Sequence, residues 1–233
     1  MLLWGALSMN NFVEVYAIVE GPTEAKFIKE VLAPYLGTKH VFISGIIASK
    51  PGQKGGDIRF DRFKNDIGRQ LKQRADIYVT QFVDFYGIHE WPECAAICEL
   101  VPHTAKAEKF CSVTLTAIQG HFPKHDAERR FIPYVCMHEF EALLFSDTTK
   151  LANHLGVDPE HTERIVKSCG EPERINNSSE TAPSKRIKNL NARYGKTSTG
   201  ITIAQAIGIE IMREQCPLFD AWLTKLENLT PLH

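Results

Sequence analysis

Phe12-Val13-Glu14-Val15-Tyr16-Ala17-Ile18-Val19-Glu20 (FVEVYAIVE, residues 12–20), stopped by Gly21-Pro22, is the stretch on which the fold turns. β-Branched and aromatic residues fill it, so it reads as a buried strand. Gly21 and Pro22 break that strand. Thr23 stands where a helix cap belongs, and Phe27, Val31 and Leu32 then recur on one helical face as far as about Leu36.

The same alternation continues down the chain. Val41 to Ile47 reads as a second strand, followed by a Gly/Lys-rich loop from Ser49 to Asp57. Phe60, Phe63, Ile67 and Leu71 recur at helical spacing, which predicts an amphipathic helix over Arg59 to Arg74. Ile77 to Val83 is the third strand. A helix follows, best defined from Ala105 to His121, and Phe131 to Met137 is the fourth strand. Strands alternating with helices predict an α/β fold with a mainly parallel, Rossmann-like sheet flanked by helices. Beyond Ser146 the β signal fades into helical segments, the last expected over Ile203 to Glu214 and Leu218 to Leu226. The expected organisation is an α/β core over residues 9–147 and a helical C-terminal subdomain over 148–233 packed on it. Residues 1–8 read as a disordered extension ahead of Met9.

Composition narrows the function classes. The 27 basic and 28 acidic side chains leave a formal net charge of -1, so the overall basic excess of many nucleic-acid binders is missing. A polyanion partner would then be met by a local patch, by metal ions or by a second protein. Met1 to Leu7 is apolar but lacks the charged start and the length of a signal peptide. No stretch approaches the roughly 20 apolar residues of a membrane span, so a cytoplasmic protein away from membranes is expected. The scattered cysteines, mostly in apolar runs, read as buried free thiols, and Cys94 and Cys98 have no second pair to complete a zinc site. The loop Pro51-Gly52-Gln53-Lys54-Gly55-Gly56 carries glycines and a lysine in the wrong order for a P-loop.

In a parallel sheet the carboxyl ends of the strands share one edge, and sites form there. The first strand delivers Glu20, with Glu24 one turn into the next helix. The second delivers the loop holding Lys54. The third delivers Asp84 and Tyr86, and the fourth delivers His138, Glu139 and Glu141. Carboxylates therefore recur at three of four ends. Brought together they repel unless a cation or proton intervenes, and such oxygen donors suit Mg²⁺ or Mn²⁺. Glu139 and Glu141 cannot both face one way on a regular strand or helix, so one of them is expected to be solvated or capping. His138 reads as a hydrogen-bonded histidine, His121 and His125 as surface residues, and Trp91 and Trp222 as core anchors. Lys185, Arg186, Lys188, Arg193 and Lys196 group on one helix and its following loop, as phosphate contacts or as a solvated helix face.

Val19-Glu20-Gly21-Pro22-Thr23-Glu24 at the end of the first strand resembles the glutamate motif of TOPRIM domains, especially those of OLD-type nucleases. Val83-Asp84-Phe85-Tyr86-Gly87 falls where those domains carry a DxD motif. The fuller pattern adds His138-Glu139-Phe140-Glu141-Ala142-Leu143-Leu144-Phe145, Thr181 to Ile187, and Cys216 to Trp222. It resembles a TOPRIM-related bacterial family, domain of unknown function 4276, over nearly the whole chain from Met9. The resemblance implies Mg²⁺- or Mn²⁺-dependent cleavage of DNA or RNA, as a nuclease or nuclease subunit. Glu20 would be general acid/base or metal ligand and Asp84 a ligand. The second DxD aspartate is replaced by Tyr86, whose neutral phenol is no carboxylate. Glu139 or Glu141 would then complete the site, or strong nuclease activity is lost. Relatives beside ABC- or AAA-type ATPases in bacterial defence loci imply an ATPase partner. The alternative is a non-catalytic subunit that keeps the fold and binds a nucleotide or a protein.

Overall fold

The computed structural model describes residues 12–49, 58–86, 88–175 and 180–232. Strand β1 (Val13–Val19) forms where the apolar run predicts it. It pairs in parallel with β2 (Val41–Ile47) on one side and β4 (Tyr78–Asp84) on the other. Between them, β3 (Ile58–Arg59) makes a separate two-stranded pairing with β5 (Ile88–Glu90). The main sheet has the order β2-β1-β4-β6, with β6 (Phe131–Ile132) and β7 (Val135–Cys136) both running parallel to β4. This is the expected α/β fold with a parallel sheet flanked by helices.

β1 and β4 are central, and β4 is buried along its whole length, so both of its faces need cover. Val13, Val15, Ala17 and Val19 turn to one apolar cluster, which also takes in Phe27 to Leu36 and the C-terminal residues Ile201 to Leu226. Ile18, Val79 and Val83 turn to a second cluster with Phe60 to Leu71 and Ala107 to Ile118. The strand period of two therefore sorts alternate side chains into two helical layers. Each fully buried Val, Ile or Phe contributes about 1.5–3 kcal/mol to that sandwich. Trp91 stacks on Phe110 and Trp222 on Tyr134, so both tryptophans are core anchors.

The structure corrects several boundaries. Gly21 occupies the N-cap of the first helix (Pro22–Phe27), and Thr23 instead shares a hydrogen bond with Thr197 at 2.8 Å. That helix continues through a π-type turn at Ile28–Leu32 into Ala33–Gly37. The fourth strand is interrupted at Pro133-Tyr134, because proline has no N–H for the ladder. One C-terminal helix is two, Ile201–Ile207 and Ile209–Gln215, broken at Gly208 with φ 86°. Of the cysteines only Cys136 and Cys216 are buried, and Cys98 is exposed. Residues 1–8 and the loop from Lys50 to Asp57, with Lys54, lie outside the described residues. Among the described residues no strand follows Cys136, and no helix is long and apolar enough to cross a membrane.

Candidate functional site

The carboxyl ends of β1, β4 and β7 meet at one edge of the sheet. Asp84 is the last residue of β4 and pairs across to Cys136 of β7. After β7 the chain passes through extended Glu139 into a 3-10 helix (Phe140–Ser146), whose first backbone N–H donates to Asp84 Oδ1 at 2.9 Å. That turn brings Glu141 beside Asp84. Glu24 arrives from the first turn of helix Pro22–Phe27, and Glu20 is half-buried where β1 ends.

Among the described residues a single cation stands among these carboxylates. Lys196 Nζ lies 3.1 Å from Glu141 Oε2, 3.2 Å from Asp84 Oδ2 and 3.6 Å from Glu24 Oε1. Glu141 is 0% exposed, Glu24 4% and Asp84 6%, so bulk water contributes little to solvating them. Lys196 reaches them from a π-type turn (Lys196–Gly200) that sits on the first helix. Thr197 meets Thr23 there, and Lys26 Nζ donates to the Thr197 carbonyl at 3.2 Å. Gly200 allows the close approach, because a Cβ there would fall 2.6 Å from the Tyr194 hydroxyl oxygen.

Among the described residues three buried carboxylates face one ammonium, and the protonation equilibria respond. Burial pushes the Asp84 carboxyl well above the usual range; Lys196 opposes this, and the charges of Glu24, Glu20 and Glu141 add to it. Burial likewise raises Glu141, against Lys196 and with Glu139. For Lys196, burial alone would lower the pKa, but Asp84, Glu141, Glu24 and Glu139 outweigh it and hold the ammonium protonated. Although Lys196 is at ion-pair distance, Glu141 Oε2 is buried and, among the described residues, has no hydrogen bond of good geometry.

Carboxylate oxygens with an unsatisfied buried member are the donor set that a hard divalent cation takes, so Glu24, Asp84 and Glu141 fit Mg²⁺ or Mn²⁺ in chemistry. Their oxygens are spread around an ammonium, however, and not drawn to the roughly 2.1 Å that Mg²⁺ requires. Among the described residues no group of three or more His, Cys, Asp and Glu side chains is arranged to hold a metal ion.

A family model described as Domain of unknown function (DUF4276) matches residues 19–227, a span that contains every member of this cluster. The chain belongs to that DUF4276 family. No curated protein and no solved structure matches it.

In this DUF4276 chain the other sequence-predicted residues divide. Glu139 is buried as well, but its carboxylate accepts from Ser184 N at 2.9 Å and Ser184 Oγ at 3.1 Å, capping helix Pro183–Leu190. Glu139 is thus the capping member of the pair, and Glu141 joins the cluster. Tyr86 is 43% exposed. Among the described residues His138 Nδ1 is buried without a partner. Burial, with His103 and Lys106 nearby, lowers its pKa to about 4, so it is neutral. Arg186, on that helix, donates to the Thr181 carbonyl just ahead of it at 2.7 Å, whereas Lys185 is exposed. Position in the chain groups Lys196 with these basic residues, but the structure sets it at the centre of the acids. Tyr194-Gly195-Lys196 opens a small-residue turn, a local pattern that does not reveal partners as distant in the chain as Glu141, Asp84 and Glu24.

Proposed function

We propose that the chain is a divalent-metal-dependent phosphodiesterase acting on nucleic acid, on a TOPRIM-like sheet edge. The convergence of Glu24, Asp84 and Glu141 on one buried point at the carboxyl edge carries this reading. Glu24, Asp84 and Glu141 would hold Mg²⁺ or Mn²⁺, which when bound polarises a phosphate oxygen and stabilises charge built up during cleavage. Glu20, half-buried at the rim, exchanges a proton with the attacking or leaving oxygen as general acid/base. The backbone N–H of Phe140 fixes one oxygen of Asp84 and so aims the other. Exposed Lys185 contacts the phosphate backbone. With a net charge of -1, additional affinity for DNA or RNA would come from an ATPase partner in the cytoplasm.

The test is nicking of supercoiled plasmid and cleavage of RNA with Mn²⁺. Glu20→Gln and Asp84→Asn are each expected to lose cleavage by about 100-fold or more, the scale of losing one transition-state group. A confirmed activity that survives both substitutions would mean the site is elsewhere. The ammonium among the carboxylates and the exposed Tyr86 favour a second reading, a non-catalytic subunit that binds a nucleotide or protein. That reading expects no cleavage by the pure protein and a stable complex on co-purification with an ATPase.

A further inference from the structure

We propose that Lys196 is a built-in cation that a divalent ion displaces, making the Lys196–Gly200 turn a latch on the site. The inference rests on the metal-site reading above and adds its regulation. Nζ lies within 3.1–3.6 Å of one oxygen from each of Glu141, Asp84 and Glu24. A divalent ion bound to those same oxygens at about 2.1 Å would stand next to the ammonium, and two cations repel at that separation. One site therefore holds one or the other. Glu141 Oε2 is fully buried and has no hydrogen bond among the described residues, so its charge rests on the ammonium 3.1 Å away.

The attachment of the turn suits release. Thr197 and Ser198 are exposed, the bond from Lys26 to Thr197 is at the surface, and the one from Thr197 to Thr23 is part-buried. Water replaces such contacts at small cost. The turn is closed by Gly200 N donating to the Gly195 carbonyl at 3.0 Å, and Tyr194 behind it is buried. Displacement thus opens the first turn of the helix that continues through Ile201–Ile207 and carries the ammonium from the centre of the acids towards their rim, where an anionic substrate would meet it.

Calorimetric titration with Mn²⁺ of wild type and Lys196→Gln tests this. If the latch is closed more than about nine-tenths of the time, removing the competing charge tightens Mn²⁺ binding by at least about tenfold. Equal or weaker binding by Lys196→Gln would overturn the latch while leaving the metal site standing. No binding by either protein at millimolar Mn²⁺ would overturn both the metal reading and the latch. Should Lys196→Gln fail to fold, wild type carries the test by hydrogen exchange. Mn²⁺ is expected to speed exchange of the Gly200 amide, and unchanged exchange with Mn²⁺ bound would refute displacement.

Discussion

Glu173 offers a test of the electrostatics away from the candidate site. A 3-10 turn (Pro172–Arg174) presents its carboxylate to the start of helix Pro217–Glu227, where it accepts from Leu218 N at 2.9 Å and Phe219 N at 3.0 Å. The residue is 1% exposed, and burial raises its pKa from 4.5 to about 7 against the pull of those two N–H groups, with Glu171 adding to the rise. A carboxyl whose folded pKa is raised contributes stability that is complete below the unfolded pKa and lost as pH rises through the folded one. At 1.36 kcal/mol per unit the full loss is about 3 kcal/mol, most of it between pH 5 and pH 8. Glu173→Gln keeps an acceptor oxygen and has no charge to titrate. Urea unfolding of both proteins at pH 5, 6, 7 and 8 should show wild type losing about 2–3 kcal/mol relative to the variant as pH rises. Parallel stability profiles, or wild type gaining stability relative to the variant as pH rises, would refute the reasoning.

Gly68→Ala would ordinarily stabilise a helix, but a Cβ here falls 2.1 Å from Phe122 Cζ; we expect a net loss of about 1–3 kcal/mol by urea unfolding. Trp222→Ala removes the stack on Tyr134 and the bond from Nε1 to Thr80 at 2.9 Å, costing about 3–5 kcal/mol in the same assay. Asp84→Asn retains the acceptor for Phe140 N–H and removes a charge that burial and neighbouring carboxylates disfavour. Its melting temperature at pH 7 should therefore exceed that of wild type although cleavage is lost, and a lower one would count against the charge imbalance.

Local patterning made the fold legible. β1, β2 and the helix Phe60–Gln73 stand where β-branched runs and helical spacing place them, and Asp84 closes its strand. The interruption at Pro133 and the break at Gly208 were written in residue types that a smooth apolar pattern obscured. The acidic edge followed from reading strand ends alone, since parallel strands place those ends together. What escaped sequence reading depends on partners distant in the chain: Lys196 with Glu24, Glu139 with Ser184, and Glu173 with Leu218. Arg130 is a further case, a buried guanidinium donating to the carbonyls of Leu71 and Ile77, where helix Phe60–Gln73 gives way to β4. A charged residue in an ordinary segment gives no local sign of which backbone it will meet.

Anomalous diffraction from crystals soaked in Mn²⁺ tests the central claim most directly, because it locates the ion and the lysine together. The account predicts a peak within about 2.2 Å of oxygens of Asp84, Glu141 and Glu24, with the Lys196 ammonium moved out of their centre. No peak at this edge at saturating Mn²⁺, with Lys196 still among the carboxylates, would contradict a metal site built from these residues.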